Sequence, residues 1–150
     1  SKIGALEKLN KVNNIATAGT LLDGSWDLCY TTNGGSSAGK LGPFVGSVEQ
    51  SITYSQGDYI NYVKLFNGAV IGALVADWDV LGNKKWQVNF QSIEFKIAGI
   101  TLIRKELKAR GIWRYTYLDE DMRILYAQGK AEETVEKKKE VVENVYVLIK

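Results

Sequence analysis

The chain has no histidine, one cysteine and one proline in 150 residues. Without histidine it lacks the commonest general base, the usual partner of a catalytic Ser or Cys, and the commonest transition-metal ligand. A lone Cys29 excludes an internal disulfide and any Cys/His metal cluster. No apolar run approaches the roughly 18 residues that a membrane-spanning helix needs, so any membrane contact is peripheral. The net charge of +2 is too small to mark a nucleic-acid binder. The motifs of a nucleophile elbow, a P-loop and a dinucleotide fingerprint are missing as well.

What is present is an ordinary globular composition, 45% apolar and 24% charged. At this length one domain, residues 1–150, is expected, burying roughly 68–70% of its unfolded surface. No targeting pattern is legible from Ser1 onward, so localisation is not read from the terminus. Ile3, Leu6, Leu9 and Val12 recur at three-residue spacing and predict a short amphipathic N-terminal helix ending near Asn13-Asn14.

From Leu21 onward the texture is that of strands. Residues 22–32 alternate Trp26, Leu28 and Tyr30 against Asp27, Cys29 and Thr31. Asn33 to Gly46 holds five glycines and Pro43, and is expected to be a long loop. Its apolar tip of Leu41, Pro43, Phe44 and Val45 suits a lid. Strand-like runs then follow at 48–54, 58–66, 69–80, 86–97, 99–107, 111–118, 122–127 and 144–150. Asn67-Gly68 is the strongest hairpin signal, because both residues tolerate the positive φ of a type I′ turn. Run 86–97 switches phase between Phe90 and Ile93, which predicts a bulge near Ser92. About nine short strands with one helix indicate a mainly β fold, an antiparallel sandwich or closed barrel, with closure favoured. Residues 130–144 carry five Glu and four Lys and read as a solvated charged insertion or a dock for a partner.

Two constellations bear on function. Gly24-Ser25-Trp26 opens the first strand, and a Trp there seals the closed end of a barrel, with Arg123 placed to stack on it. Asp119-Glu120-Asp121, with Asp77 and Asp79, lacks the ligand spacing of a calcium loop. It is read as a turn whose acids cap backbone donors or pair with Arg123 and Arg114. Four Trp, eight Tyr and four Phe exceed what a small barrel needs to close. They point to an apolar ligand contacted by Trp26, Tyr30, Phe44, Tyr62, Trp78, Phe90, Phe95, Trp113 and Arg123. Tyr115, Trp86 and Phe66 belong to the same aromatic set.

Residues 22–32 (LDGSWDLCYTT) resemble the opening strand of the plastid lipid-associated proteins, or fibrillins. Gly39-Lys40-Leu41-Gly42-Pro43-Phe44 with Gln50, Tyr59-Ile60-Asn61, residues 117–124 (YLDEDMRI) and Val145-Tyr146-Val147-Leu148 are similar to later segments in family order. The charged insertion departs from the short turn usual in the family. The resemblance implies a lipocalin-like barrel of eight to nine strands in chloroplasts, peripheral to thylakoid or plastoglobule membranes. It implies no catalysis and no required cofactor, and a bound carotenoid, quinone or acyl lipid. The alternative is a filled barrel acting as an accessory subunit on a thylakoid protein assembly, and the interior volume discriminates the two.

Overall fold

The computed structural model describes residues 1–129 and 142–150. The N-terminal helix α1 (Lys2–Glu7) is shorter than the periodicity predicts, and Leu9 beyond it is exposed. A second short helix, α2 (Gly19–Leu22), was not foreseen and leads directly into the first strand. Ten strands follow: β1 (Gly24–Thr31), β2 (Lys40–Leu41), β3 (Phe44–Val45), β4 (Ser47–Thr53), β5 (Asp58–Leu65), β6 (Val70–Gly82), β7 (Lys85–Ile97), β8 (Ile100–Leu118), β9 (Met122–Gly129) and β10 (Glu143–Ile149). Eight of them form a closed antiparallel barrel in which β4 to β10 are consecutive neighbours and β1 closes the ring between β10 and β4.

Alternation explains why the strands close. In β5 the residues Tyr59, Asn61, Val63 and Leu65 are buried, while those between them are not. The turn after β5 carries positive φ at Phe66, Asn67 and Gly68, as the Asn-Gly signal requires. The predicted bulge is present. The β7–β8 register shifts between Phe90 and Ser92, and the β6–β7 register shifts opposite it at Val75 and Ala76.

Two expectations are corrected. The runs 99–107 and 111–118 are one continuous strand, β8, of 19 residues, which is why the barrel has eight strands rather than nine. Gly111 reads as a break but lies within the ladder, opposite both Val88 and Gly129. Residues 33–46 are not wholly irregular: they contain a 3-10 turn at Ser36–Ala38 and the β2–β3 hairpin. A Cβ on Gly39 would collide with the Gly46 carbonyl, and one on Gly46 with the Lys64 carbonyl, so glycines here permit close packing of this hairpin against β5. Most of the charged insertion, residues 130–141, lies outside the described residues, while Glu143 and Asn144 belong to β10.

The acidic turn is a capping device. Asp119 Oδ1 accepts from the amides of Asp121 at 2.9 Å and Met122 at 2.7 Å, and Oδ2 accepts from the Tyr117 hydroxyl at 2.6 Å. Its acids do not pair with the two arginines expected; Arg114 bridges to Glu143 at 3.2 Å instead. Burial alone would raise the Asp119 pKa, but the Tyr117 hydroxyl and the two amides together hold it below the usual value. A depressed folded pKa contributes stability above the unfolded value of about 3.9, lost as pH falls through the folded one. Asp119→Ala is therefore expected to cost about 1–2 kcal/mol at neutral pH by urea unfolding. The gap to wild type narrows in acid, and a gap that widens there contradicts the assignment.

Candidate functional site: a half-hollow barrel with a donor floor

The barrel interior divides into two halves. The closed end is packed with aromatic side chains. Trp26 and Trp86 are fully buried, and Trp86 stacks on Trp78 with ring centroids 4.3 Å apart and planes 2° from parallel. Tyr115 meets Trp86 edge-on at 5.1 Å, and Tyr54 covers Trp78 at 5.9 Å. The chain before β1 seals this end from outside. Ile15 and Leu22 are buried, and the Ile15 amide donates to the Asn83 carbonyl at 2.8 Å. Asn10 Oδ1 accepts from the Leu118 amide at 3.1 Å.

Trp26 ties these parts together. Its indole N–H donates to the Leu22 carbonyl at 2.9 Å. The Arg123 guanidinium lies 5.0 Å from its ring centroid and the Lys150 ammonium 4.9 Å, so two cations contact one π-system. The stacking of Arg123 on Trp26 is as the sequence predicts.

Arg123 is fully buried, and no carboxylate among the described residues pairs with it. One terminal nitrogen donates to Gln50 Oε1 and the other to the Tyr115 hydroxyl at 3.5 Å, while Nε has no partner among the described residues. Burial lowers the Arg123 pKa, with Tyr115 and Tyr59 opposing that shift. Burial pushes Tyr115 up to about 12 and Tyr59 higher still, against the pull of Arg123. Both phenols thus remain neutral donors at any physiological pH, and neither supplies a counter-charge.

This cation sets the polarity of the layer above it. A guanidinium only donates, so the Gln50 atom facing it is oxygen and the Gln50 amide nitrogen points onward. That nitrogen donates to Asn61 Oδ1 at 3.3 Å, which also accepts from the Tyr59 hydroxyl at 3.3 Å. Asn61 Oδ1 is therefore committed twice, and Nδ2 is left to donate.

Gln50, Tyr59 and Asn61 form the floor of a cavity of about 150 Å³ in the other half of the barrel, with apolar walls at Leu74, Phe90, Trp113 and Leu125. Toward the mouth, Ser37, Asn61 and Leu74 also line a smaller hollow of about 40 Å³, with Leu41 and Phe95.

The nine residues singled out from sequence divide accordingly. Phe90, Phe95 and Trp113 line the hollows. Trp26 and Trp78 belong to the closed-end plug, and Arg123 lies beneath the cavity floor. Phe44 is exposed on the rim, against Phe66 at 5.5 Å. Tyr62 is half-buried on the outward phase of β5, near Lys64. Tyr30 is exposed, because a register shift between Leu28 and Tyr30 in the β1–β10 pairing ends the alternation begun at Trp26. Asp77 and Asp79 accept from Asn89 at 2.8 and 2.9 Å on the barrel wall, and no metal-ligand cluster occurs among the described residues.

Gln50, Asn61 and Tyr59 line the cavity but lie outside the nine residues singled out as ligand contacts. A signal for them existed. Gln50 sits between buried Val48 and Ile52 on one phase of β4, and Asn61 between Tyr59 and Val63 on β5. A polar side chain on an otherwise apolar phase points inward.

The geometry defines a class: a closed, eight-stranded lipocalin-like barrel, plugged at one end and hollow at the other. The PAP_fibrillin family model matches residues 1–109, and the chain belongs to this plastid lipid-associated protein/fibrillin family. The match ends within β8, so Arg123, the acidic turn and β10 lie beyond it. No curated protein and no solved structure gives a significant match.

A buried cation without a counter-ion adds little to stability, because its desolvation offsets what its hydrogen bonds return. Arg123→Met with Gln50→Leu removes donor and acceptor together. The double variant is expected to unfold within about 1 kcal/mol of wild type or to be more stable. A loss of about 3 kcal/mol or more in denaturant unfolding shows the cation to be structural.

Proposed function

We propose that the barrel binds, without catalysis, an apolar small molecule whose polar end is a hydrogen-bond acceptor, at a plastid membrane. The observation that supports this reading is the pairing of a cavity with a floor of directed donors over a buried positive charge that pairs with no carboxylate among the described residues. Pockets for apolar ligands combine such walls with a few placed polar groups that fix orientation. A carboxylate or a quinone carbonyl satisfies the floor, whereas a pure hydrocarbon carotenoid leaves its donors unmet. Of the acyl lipids, quinones and carotenoids associated with the family, the first two fit better.

The volume sets the scale. A cavity of about 150 Å³ admits a single aromatic ring. It therefore accepts the head and first carbons of a long ligand, and the remainder runs past Leu41 and Phe95 to the mouth. A barrel filled throughout, serving only as a docking subunit on a thylakoid protein assembly, leaves this hollow without a role.

Titration with a fluorescent polyene fatty acid and with its methyl ester tests the reading. The acid is expected to bind about tenfold or more tightly than the ester, the scale of one charge-assisted hydrogen bond. Arg123→Met removes that preference, and Leu74→Trp, which fills the cavity, removes binding of both. If neither probe binds and solvent extraction of protein from its native source repeatedly yields no lipid, pigment or quinone, the proposal fails.

A further inference from the structure

The rim of the hollow end is apolar and exposed, and a basic ribbon stands beside it. Three turns meet there. The Ala98 amide donates to the Ala69 carbonyl at 2.9 Å, which sets the β7–β8 turn beside the β5–β6 turn. Phe44 on β3 packs edge-on against Phe66 of the β5–β6 turn. From these turns Phe44, Val45, Phe66, Ile97, Ile100, Leu102 and Ile103 are exposed, Val45 by 71% and Ile100 by 65%. Soluble domains rarely gather that many large apolar side chains in one place without a partner.

Two of the turns hold their outward conformation against local preference. Phe66 has φ 51° and Ala98 φ 50°, left-handed values that non-glycine residues seldom adopt. Strain of this kind persists where the surrounding structure enforces it, and it concentrates at functional sites.

The charge next to this rim is net positive. Residues 94–110 carry Lys96, Arg104, Lys105, Lys108 and Arg110 against Glu94 and Glu106, a net of +3 where the whole chain carries +2. Glu94 is engaged by Lys96 at 3.7 Å and Arg104 at 3.5 Å, and Lys105, Lys108 and Arg110 form no salt bridge among the described residues. Every residue from Ile100 to Arg110 except Leu107 is exposed, and among the described residues β8 pairs with β9 from Gly111 onward.

We infer that the β7–β8 tip, with Phe44, Val45 and Phe66, is a membrane-docking edge for an anionic lipid surface. The apolar tips enter the interface and the basic residues of β8 meet lipid headgroups. Anionic surfaces attract such residues within a Debye length, and apolar burial adds to that attraction. Charge complementarity selects this partner over a neutral one. Docking in this orientation sets the mouth, with Leu41 and Phe95 beneath it, against the lipid from which a ligand tail would pass. The inference extends the proposed function but does not depend on it.

Sedimentation with phosphatidylcholine vesicles, with and without phosphatidylglycerol, tests the edge. The protein is expected to partition onto the anionic vesicles and to release them as salt rises. Ile100→Ser with Ile103→Ser, and separately Lys105→Ala with Lys108→Ala, should each weaken partition by roughly tenfold. Lys2→Ala with Lys8→Ala, in and just after α1, should leave it unchanged. Circular dichroism confirms that each variant is folded, and fatty-acid titration without vesicles reports the cavity separately, so the two proposals fail independently. Equal, salt-insensitive partition onto both vesicle types overturns the inference, as does full partition by the tip variants or none by the wild type. Concentration-dependent dimers abolished by the same substitutions overturn it in favour of a second copy of the chain.

Discussion

The contacts of Trp26 hold together parts of the chain that lie far apart in sequence. Its indole N–H fixes the end of α2 through the Leu22 carbonyl, and its ring meets Arg123 from β9 and Lys150 after β10. Lys150 in turn donates to the Leu21 carbonyl at 3.1 Å. One side chain thus joins the segment before the barrel, its first strand and its last two. A large aromatic ring with its single donor satisfied is well suited to such a junction, since it is buried without leaving a polar group unmet. With that end closed, the remaining interior can stay open without exposing the core.

The floor follows from the same junction. Arg123 stacks on the Trp26 ring, and among the described residues its nearest acceptor is Gln50. The order of donors and acceptors through Gln50, Asn61 and Tyr59 is then dictated, because a guanidinium has no acceptor to offer. The cavity inherits a chemical direction from a group that does not line it. That relation connects closure of the barrel to the proposed selection of a ligand: the cation that helps seal one end orients the amides that face the other.

The bounds of seven of the eight barrel strands are legible from strand-like runs and turn residues, and β4 and β5 show plain alternation of buried and outward residues as well. The exception is β8, where Gly111 looks like punctuation. Glycine there serves close packing instead: a Cβ would lie 3.2 Å from the Gln128 carbonyl and 3.6 Å from the Phe90 ring. The site is less legible, for a reason of phase. Counting aromatics finds Tyr62 and Tyr30 as readily as Tyr59, but only phase tells which face a strand residue takes. The shift after Leu28 moves Tyr30 outward, and no propensity marks that position in advance. The bulge in β7 is visible because apolar residues stand on both sides of it, whereas the one in β1 is followed by Tyr and Thr, which suit either face.

The β7 bulge links the cavity to the rim. Before it, Trp86 and Val88 point into the plug and Phe90 into the cavity; after it, Ile93 and Phe95 line the outer hollow. A bulge bends its strand and increases local twist. Here it lies where β7 passes from a wall shared with the barrel-paired part of β8 to a ribbon whose second strand is exposed. An uninterrupted alternation would carry Phe90, Ser92 and Glu94 inward, putting the Glu94 carboxylate into the outer hollow and turning Phe95 outward. The inserted residue, Gln91, instead sets Ile93 and Phe95 at the outer hollow, with Ser92 also buried, and leaves Glu94 to pair with Lys96 and Arg104. One extra residue therefore keeps Phe95 at the hollow and the ribbon's charge outside, the separation that the proposed passage of an amphiphile between a membrane and the donor floor calls for.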